Sequence, residues 1–300
     1  MSLHIVLGGN GAIGRETVHA LHEAQLDVVS VGRRPPATDS GSFRQADLLD
    51  ADQTLRAVSG AETVYLTAGL PYSSRIWARD WPVIVRNAAD AAARSGARLV
   101  YFDNVYAYGL VNGPMTEETP LRPVSRKGRV RADVRESLAS FPDVVTAVAA
   151  DFYGPRASTS VFNRFAVDAI RRGRRGGWLF NADLPHSMTF TPDIGRALAV
   201  LGTTVDLPRR TWHLPTAPPL RGSDYVELAG GAHGRTRVIT RGQLRLAGLV
   251  NTDARDTLEM GYQYESPYLF DSSAFEDRFA IEPTSYAEGI AQTVRAASGA

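Results

Sequence analysis

The chain has 300 residues, 44% of them apolar and 22% charged, which is ordinary usage for one large α/β unit with an ample core. Its formal net charge is +1, so bulk charge gives no reason to expect nucleic acid or an anionic membrane as a partner. Cysteine is absent, which excludes disulfides and thiolate chemistry, and no apolar run is long enough to span a bilayer.

Met1-Ser2-Leu3 leads straight into the strand pattern His4-Ile5-Val6-Leu7 without a signal-like segment, so a cytoplasmic location is expected. A strand at about 3–8 precedes a helix at 12–25. Further strands are read at 28–31, 43–45, 63–67, 98–102 and 144–149. Helices are read at 51–58, 81–95 and 125–139. The strands are near-continuous apolar runs, as in a parallel sheet covered on both faces. The fold class is therefore α/β, a Rossmann-type doubly wound parallel sheet with a smaller C-terminal substrate lobe. Residues 1–155 form the dinucleotide-binding unit. Residues 156–300 read as mixed, with helices at 158–172, 192–201, 224–230, 241–260 and 286–296. They contribute late elements of the sheet unit and a small lobe over its carboxyl edge. The six histidines show no metal-ligand spacing, and no metal is expected.

Gly8-Gly9-Asn10-Gly11-Ala12-Ile13-Gly14 joins the first strand to the first helix. Gly8 permits a tight turn, Gly11 lets amides approach a pyrophosphate, and Gly14 permits close helix–strand packing. The helix N-terminus favours the anion. In this context Gly8, Asn10, Gly11, Ala12, Ile13 and Gly14 read as a dinucleotide-phosphate loop, although a purely structural turn can carry the same glycines. The second strand ends in Val31-Gly32-Arg33-Arg34, and the first acid downstream is Asp39. NAD sites place Asp or Glu there for the ribose hydroxyls, whereas guanidinium groups suit a 2′-phosphate. NADP(H) is thus favoured over NAD(H); the alternative is two solvated loop arginines. Asp47, followed by Leu48, is placed to accept from an adenine amino group or to cap the next turn.

The spacing G-x-x-G-x-x-G resembles the short-chain dehydrogenase/reductase superfamily, and further segments extend the resemblance over nearly the whole chain. Thr67-Ala68-Gly69 looks like the loop after strand four. Asp103-Asn104-Val105-Tyr106-Ala107-Tyr108-Gly109 looks like strand five of the extended, NAD-dependent epimerase/dehydratase-like branch. Asp151-Phe152-Tyr153-Gly154-Pro155 resembles its segment after strand six, and Thr189-Phe190-Thr191-Pro192-Asp193-Ile194 its strand and acid before a late helix. Phe270-Asp271 and Ile281-Glu282-Pro283 match its C-terminal ending. The resemblance implies cofactor contacts from Thr67, Ala68, Gly69, Lys127 and Tyr153. It also implies a Tyr-x-x-x-Lys pair, whose lysine binds the nicotinamide ribose and lowers the tyrosine pKa. This chain has no such pair, because Lys127 is its only lysine and Pro123 stands four residues before it. Alignment of the following helix puts Ser125 and Arg129 at the two places, and Asn104 where a hydrogen-bonding Ser or Thr usually sits. The chain resembles an atypical member of the branch.

Carbonyl reduction needs a proton donor near the developing alkoxide, or an electrostatic substitute. Tyr106 lies just past strand five, where extended-branch dehydratases place an acid, and is the expected donor. Asn104 can donate an amide hydrogen bond to the substrate oxygen. Tyr108 shares a face with Tyr106 if the segment is strand-like. Lys127 and Arg129 are candidate nicotinamide-ribose ligands, and Ser125 also reads as a helix N-cap. His186 is a candidate acid/base at the substrate, or a loop histidine bonded to backbone. The expected catalytic set is Tyr106, Asn104 and Lys127, with Tyr108 and His186 at the substrate. The expected function is an NADP(H)-dependent oxidoreductase or epimerase-like enzyme acting on a small organic molecule, as monomer or homodimer. Two alternatives remain: a dinucleotide-binding sensor without hydride chemistry, and non-redox catalysis on the same scaffold.

Overall fold

Seven strands line up side by side in the computed structural model, which describes residues 2–36 and 41–298. They are β1 (Leu3–Leu7), β2 (Asp27–Gly32), β3 (Ser42–Gln45), β4 (Thr63–Leu66), β5 (Arg98–Asn104), β6 (Val144–Ala149) and β7 (Thr211–His213). Their spatial order is β7-β6-β5-β4-β1-β2-β3, and every pairing is parallel. The order reverses at β1, which has β2 on one side and β4 on the other. In such sheets the ligand crevice opens outside the carboxyl ends of the strands at that reversal.

Both faces of the sheet are covered, by α1 (Ala12–Glu23), α2 (Ala51–Ala57), α3 (Ser74–Arg94), α4 (Arg126–Leu138) and α5 (Thr191–Thr203). On one face Ile5, Leu7, Val64 and Leu99 pack with Trp77, Trp81, Ile84 and Val85 of α3. On the other, Val6, Val100, Val145 and Ala147 pack with Leu21 of α1 and with Ile194 and Leu198 of α5. Because alternate side chains serve two cores, the strands read as continuous apolar runs rather than an alternating pattern. A third core, with Phe162, Trp178, Tyr225, Tyr286 and Ile290, belongs to the second lobe. Among the described residues no helix is long and apolar enough to cross a membrane.

Two helix expectations are corrected. The helix expected from Trp81 begins at Ser74, and Pro82 lies inside it on the exposed side. Trp77 and Trp81, four residues apart, are both buried on its inner face, and that packing continues the helix through the proline. The single helix expected over 241–260 is two, α6 (Arg241–Gly248) and α7 (Thr252–Glu259). Asn251 divides them, its side chain accepting from the amides of Asp253 and Ala254 as an N-cap. The last helix is α8 (Tyr286–Ser298).

Helices α1 and α5 pack so closely that a Cβ on Gly195 would lie 2.4 Å from the Glu16 carbonyl oxygen. That neighbour is backbone within a helix and has little room to move. Gly195→Ala should therefore destabilise the fold by about 1–3 kcal/mol despite alanine's higher helix propensity, as read by urea unfolding. Unchanged or increased stability would show that the two helices separate at little cost.

Candidate active site

The glycine loop brings three backbone segments together at the sheet reversal. Gly8 has φ +90° and its amide donates to the Val31 carbonyl (2.9 Å), while the Gly11 amide donates to the Gly8 carbonyl (2.9 Å). A Cβ on Gly14 would lie 2.2 Å from the Gly8 oxygen, so α1 can begin this close to the turn only with glycine there. The first-turn amides of α1, at Ala12 and Ile13, accordingly open at the crevice, where helix geometry leaves them without intrahelical acceptors. Nothing lies within 4 Å of a Cβ built on exposed Gly69, across from the loop. Ala68 lies directly against Gly8, and buried Thr67 donates its hydroxyl to the Leu7 carbonyl (3.1 Å), joining the ends of β4 and β1. This cradle fits a dinucleotide pyrophosphate.

At the end of β2, Asn10 Nδ2 donates to the Arg34 carbonyl (2.6 Å) and Gln45 Nε2 to the Arg33 carbonyl (3.2 Å). The backbone of both arginines is thereby fixed at the rim, and their side chains are exposed. Asp39 lies outside the described residues. Asp47 accepts from the Leu49 amide (3.1 Å), the turn-capping alternative, and Leu48 is buried in the core.

The other wall of the crevice is built by the turn after β5 and by the first turn of α4. Asn104 accepts from the Tyr106 amide (3.0 Å) and starts a 3₁₀ turn, Val105–Ala107. That turn removes the period-two geometry, so Tyr106 and Tyr108 do not share a surface. Tyr106 stacks on Trp77 (6.0 Å between centroids) and its hydroxyl meets that of Tyr72 (3.3 Å). Burial, reinforced by the nearby Asp151 charge, pushes its ionisation well up, so the phenol keeps its proton at neutral pH. Tyr108 instead is buried with its hydroxyl on His213 Nε2 (2.8 Å), which removes it from the expected substrate set.

Helix α4 lies against this turn so tightly that a Cβ on Gly128 would come 2.4 Å from the Tyr106 carbonyl oxygen. Ser125 is its N-cap, accepting from the Gly128 amide (2.9 Å), and Arg129 is exposed. The alignment of Ser125 and Arg129 with the tyrosine–lysine pair is therefore corrected. Lys127 and Arg131 stand at that spacing with polar side chains turned inward, and Arg135 follows them one turn on. Lys127 is 0% exposed, its ammonium 3.1 Å from Ser74 Oγ, 3.4 Å from Asp256 Oδ2 and 4.2 Å above the Tyr72 ring. Burial lowers its pKa, and Asp256 opposes the shift. Arg131 lies over the Trp77 and Trp81 rings and donates to the Tyr101 hydroxyl (2.6 Å).

Sequence reasoning did not select Asp151, Tyr72, Trp77 or the tyrosines after α7. Asp151, two residues past the end of β6, accepts from Tyr264 (2.7 Å) and lies 3.0 Å from His186 Nε2. The His186 ring is stacked between Tyr264 and Tyr268, with centroids 4.6 and 4.3 Å away. The aromatic run Gly261-Tyr262-Gln263-Tyr264 and nearby Tyr268 were the available signal. Tyr153 is a further correction: its ring is fully buried against Phe162, Phe190 and Tyr286 in the second-lobe core rather than facing the crevice. The strand Asp151–Tyr153 pairs with Met188–Phe190, which holds the ring in that core. A cavity of about 490 Å³ lies at the opposite, amino edge of the sheet. Its Arg98 and Arg210 are engaged by the carbonyls of helix ends, so it is set apart from this chemistry.

The Tyr108–His213 pair has a pH consequence. Burial pushes His213 down to about 3, with its bond to the Asp271 carbonyl opposing the shift. The folded chain therefore keeps the imidazole neutral while the unfolded chain protonates near its ordinary 6.5. Stability from this group is complete above about pH 6.5 and is lost as pH falls toward 3. Between pH 7 and pH 4, His213→Gln should lose about 3 kcal/mol less stability than the unaltered chain in urea melts. Equal losses would show that His213 does not set the acid sensitivity.

Comparison with known proteins identifies the wider group. Residues 4–180 match the model of the NAD dependent epimerase/dehydratase family. No curated protein sequence matches. Among solved structures, dTDP-glucose 4,6-dehydratase from Bacillus anthracis str. Ames, in complex with NAD, is similar at TM-score 0.79 and 15% identity, covering 100% of this chain and 97% of the other. MoeE5, in complex with UDP-glucuronic acid and NAD, gives TM-score 0.79 and 20% identity over 99% of each chain. The UDP-glucose 4-epimerase of Thermus thermophilus, in complex with NAD, gives 0.76 and 18%, again over 99% of each. At these identities the likeness is one of fold. Because the family match spans more than half of the sequence, the chain belongs to the NAD-dependent epimerase/dehydratase family.

Proposed function

We propose that this protein is an NADP(H)-dependent oxidoreductase or epimerase-like enzyme acting on a small hydroxylated organic molecule. The observation that carries the cofactor reading is the glycine cradle beside Arg33 and Arg34, whose backbone is pinned at the rim with both guanidinium groups outward. Such groups suit a 2′-phosphate bidentately. On the substrate side, the partly exposed Asp151 carboxylate and the phenols of Tyr72, Tyr106 and Tyr264 suit hydroxyl groups. The solved neighbours carry nucleotide-linked sugars in their names, which supports a sugar-like substrate.

A bound nicotinamide dinucleotide supplies or accepts a hydride. For carbonyl reduction, Tyr106 is the proton donor, and its raised pKa keeps the hydrogen in place until an alkoxide develops. Asn104 fixes the turn through its side-chain oxygen, and its amide nitrogen is the proposed donor to the substrate oxygen. Lys127 serves the nicotinamide ribose, four residues before a permanently charged arginine. A second reading, a dinucleotide sensor without turnover, is favoured by that Lys127/Arg131 replacement of the usual pair.

Nicotinamide fluorescence titration with NADPH and NADH tests the cofactor reading. Arg33→Ala with Arg34→Ala should weaken NADPH about 10- to 100-fold per lost contact and leave NADH nearly unchanged. Equal weakening of both cofactors would remove the phosphate assignment, and binding of neither would sink the function. With a turned-over carbonyl substrate, Tyr106→Phe should slow the rate about 10²–10⁴-fold at constant NADPH affinity. Full turnover in that variant excludes Tyr106 as donor, whereas NADPH binding without turnover of any carbonyl or sugar-nucleotide panel favours the sensor.

A further inference from the structure

Helix α7 buries one residue most deeply, and that residue is charged: Asp256. Its Ala254 and Leu258 reach only the margin of the second-lobe core. Helix α6 buries Leu244 and Gly248, while Leu246 between them and Leu249 and Val250 after them are 72%, 79% and 93% exposed. The pair is therefore held less by apolar burial than by what the α7 carboxylates touch. Elements of that kind open at less than the cost of global unfolding.

Those contacts converge on the catalytic edge. Asp256 Oδ2 accepts from the Ser74 amide (2.9 Å) and lies 3.4 Å from Lys127 Nζ. Glu259 accepts from the Ser74 hydroxyl (2.9 Å) through one oxygen and from the Arg126 amide through the other. Lys127 also donates to the Asp256 carbonyl (3.4 Å). Ser74 and Arg126 are the first residues of α3 and α4, so two helix N-termini and one ammonium hold two carboxylates. The ammonium is the same group that the proposed function assigns to the nicotinamide ribose.

We infer that the α6–α7 pair is a lid over the crevice, that Asp256 and Glu259 are its latch, and that bound cofactor competes with the latch for Lys127. The inference rests on the cofactor reading above. A ligand shifts a two-state element only by binding one state better than the other. Here the difference is one ammonium, which serves either Asp256 or a ribose. Binding therefore unlatches α7, and the latch in turn weakens cofactor affinity in the resting protein.

Hydrogen–deuterium exchange on the full chain, with and without NADPH, tests this at the amides of 252–260. NADPH should speed their exchange about tenfold while the amides of β5 stay protected. The double variant Asp256→Asn/Glu259→Gln should exchange there about 10- to 100-fold faster without cofactor, the scale of one charge-assisted bond, and should bind NADPH several-fold more tightly. Because that variant leaves the ammonium with a weaker partner, Lys127→Met/Asp256→Leu is the control: both charges go together, the fold should persist, and NADPH should no longer alter exchange over 252–260. Exchange over 252–260 that ignores NADPH in the unaltered chain, or still responds to it in the control, overturns the competition. If fluorescence shows that NADPH does not bind at all, the function reading fails. The latch is then judged on the cofactor-free variant alone, where unchanged protection of α7 overturns it.

Discussion

One buried carboxylate fixes the geometry of the candidate site. Asp103, 1% exposed at the end of β5, accepts from Arg135 Nε at 2.5 Å, faces Arg131 Nη1 at 3.4 Å and receives the Tyr101 hydroxyl at 3.3 Å. Arg135 also donates to the Asn104 carbonyl (2.9 Å), and Arg131 lies across the tryptophans of α3. Strand β5, helix α4 and helix α3 are thereby joined through a single negative charge. Loss of one member of a buried ion pair typically costs about 3–5 kcal/mol, because the partners are left without counter-charge in a poorly solvated place. The positions of Lys127, Asn104 and Tyr106 all inherit from this arrangement.

Lys127 and Arg131, at the spacing of the family's tyrosine–lysine pair, differ in titration behaviour along α4. Arginine keeps its charge throughout the accessible pH range, so Arg131 can organise but cannot carry protons. Lys127, pushed down by burial, is the member whose charge responds to its surroundings. The titratable group and the fixed charge thus occupy successive turns of one helix, the titratable one first.

Six strands of the sheet, the glycine loop and the order of elements were legible in the sequence because each rests on local pattern: strand-like runs, a strand–turn–helix glycine spacing, and caps such as Ser125; the short edge strand Thr211–His213 has no such pattern. The site was legible only where backbone decides it, as at Gly14. Tyr108 was misplaced because its partner, His213, is 105 residues away and the intervening turn changes the side-chain direction. The inward pair on α4 was misassigned because Asp103, Trp77 and Asp256, which draw Lys127 and Arg131 inside, come from three other elements. Tyr153 lies within a family-like segment, yet aromatic neighbours far along the chain settle its orientation. The helix break at Asn251 was a local signal present and passed over, since the amphipathic pattern on either side outweighed one capping residue.

The single lysine gives this chain an unusual chemical simplicity. Its one side-chain amine is wholly enclosed between α3, α4 and α7. Acylation of a lysine requires the free amine to meet reagent in solvent, so in this chain side-chain acylation, read apart from that of the N-terminal amine, reports exposure of Lys127 and of no other residue. Arginine-rich composition, which elsewhere is only a matter of codon supply or hydration, here turns a common acylating reagent into a gauge of one buried position.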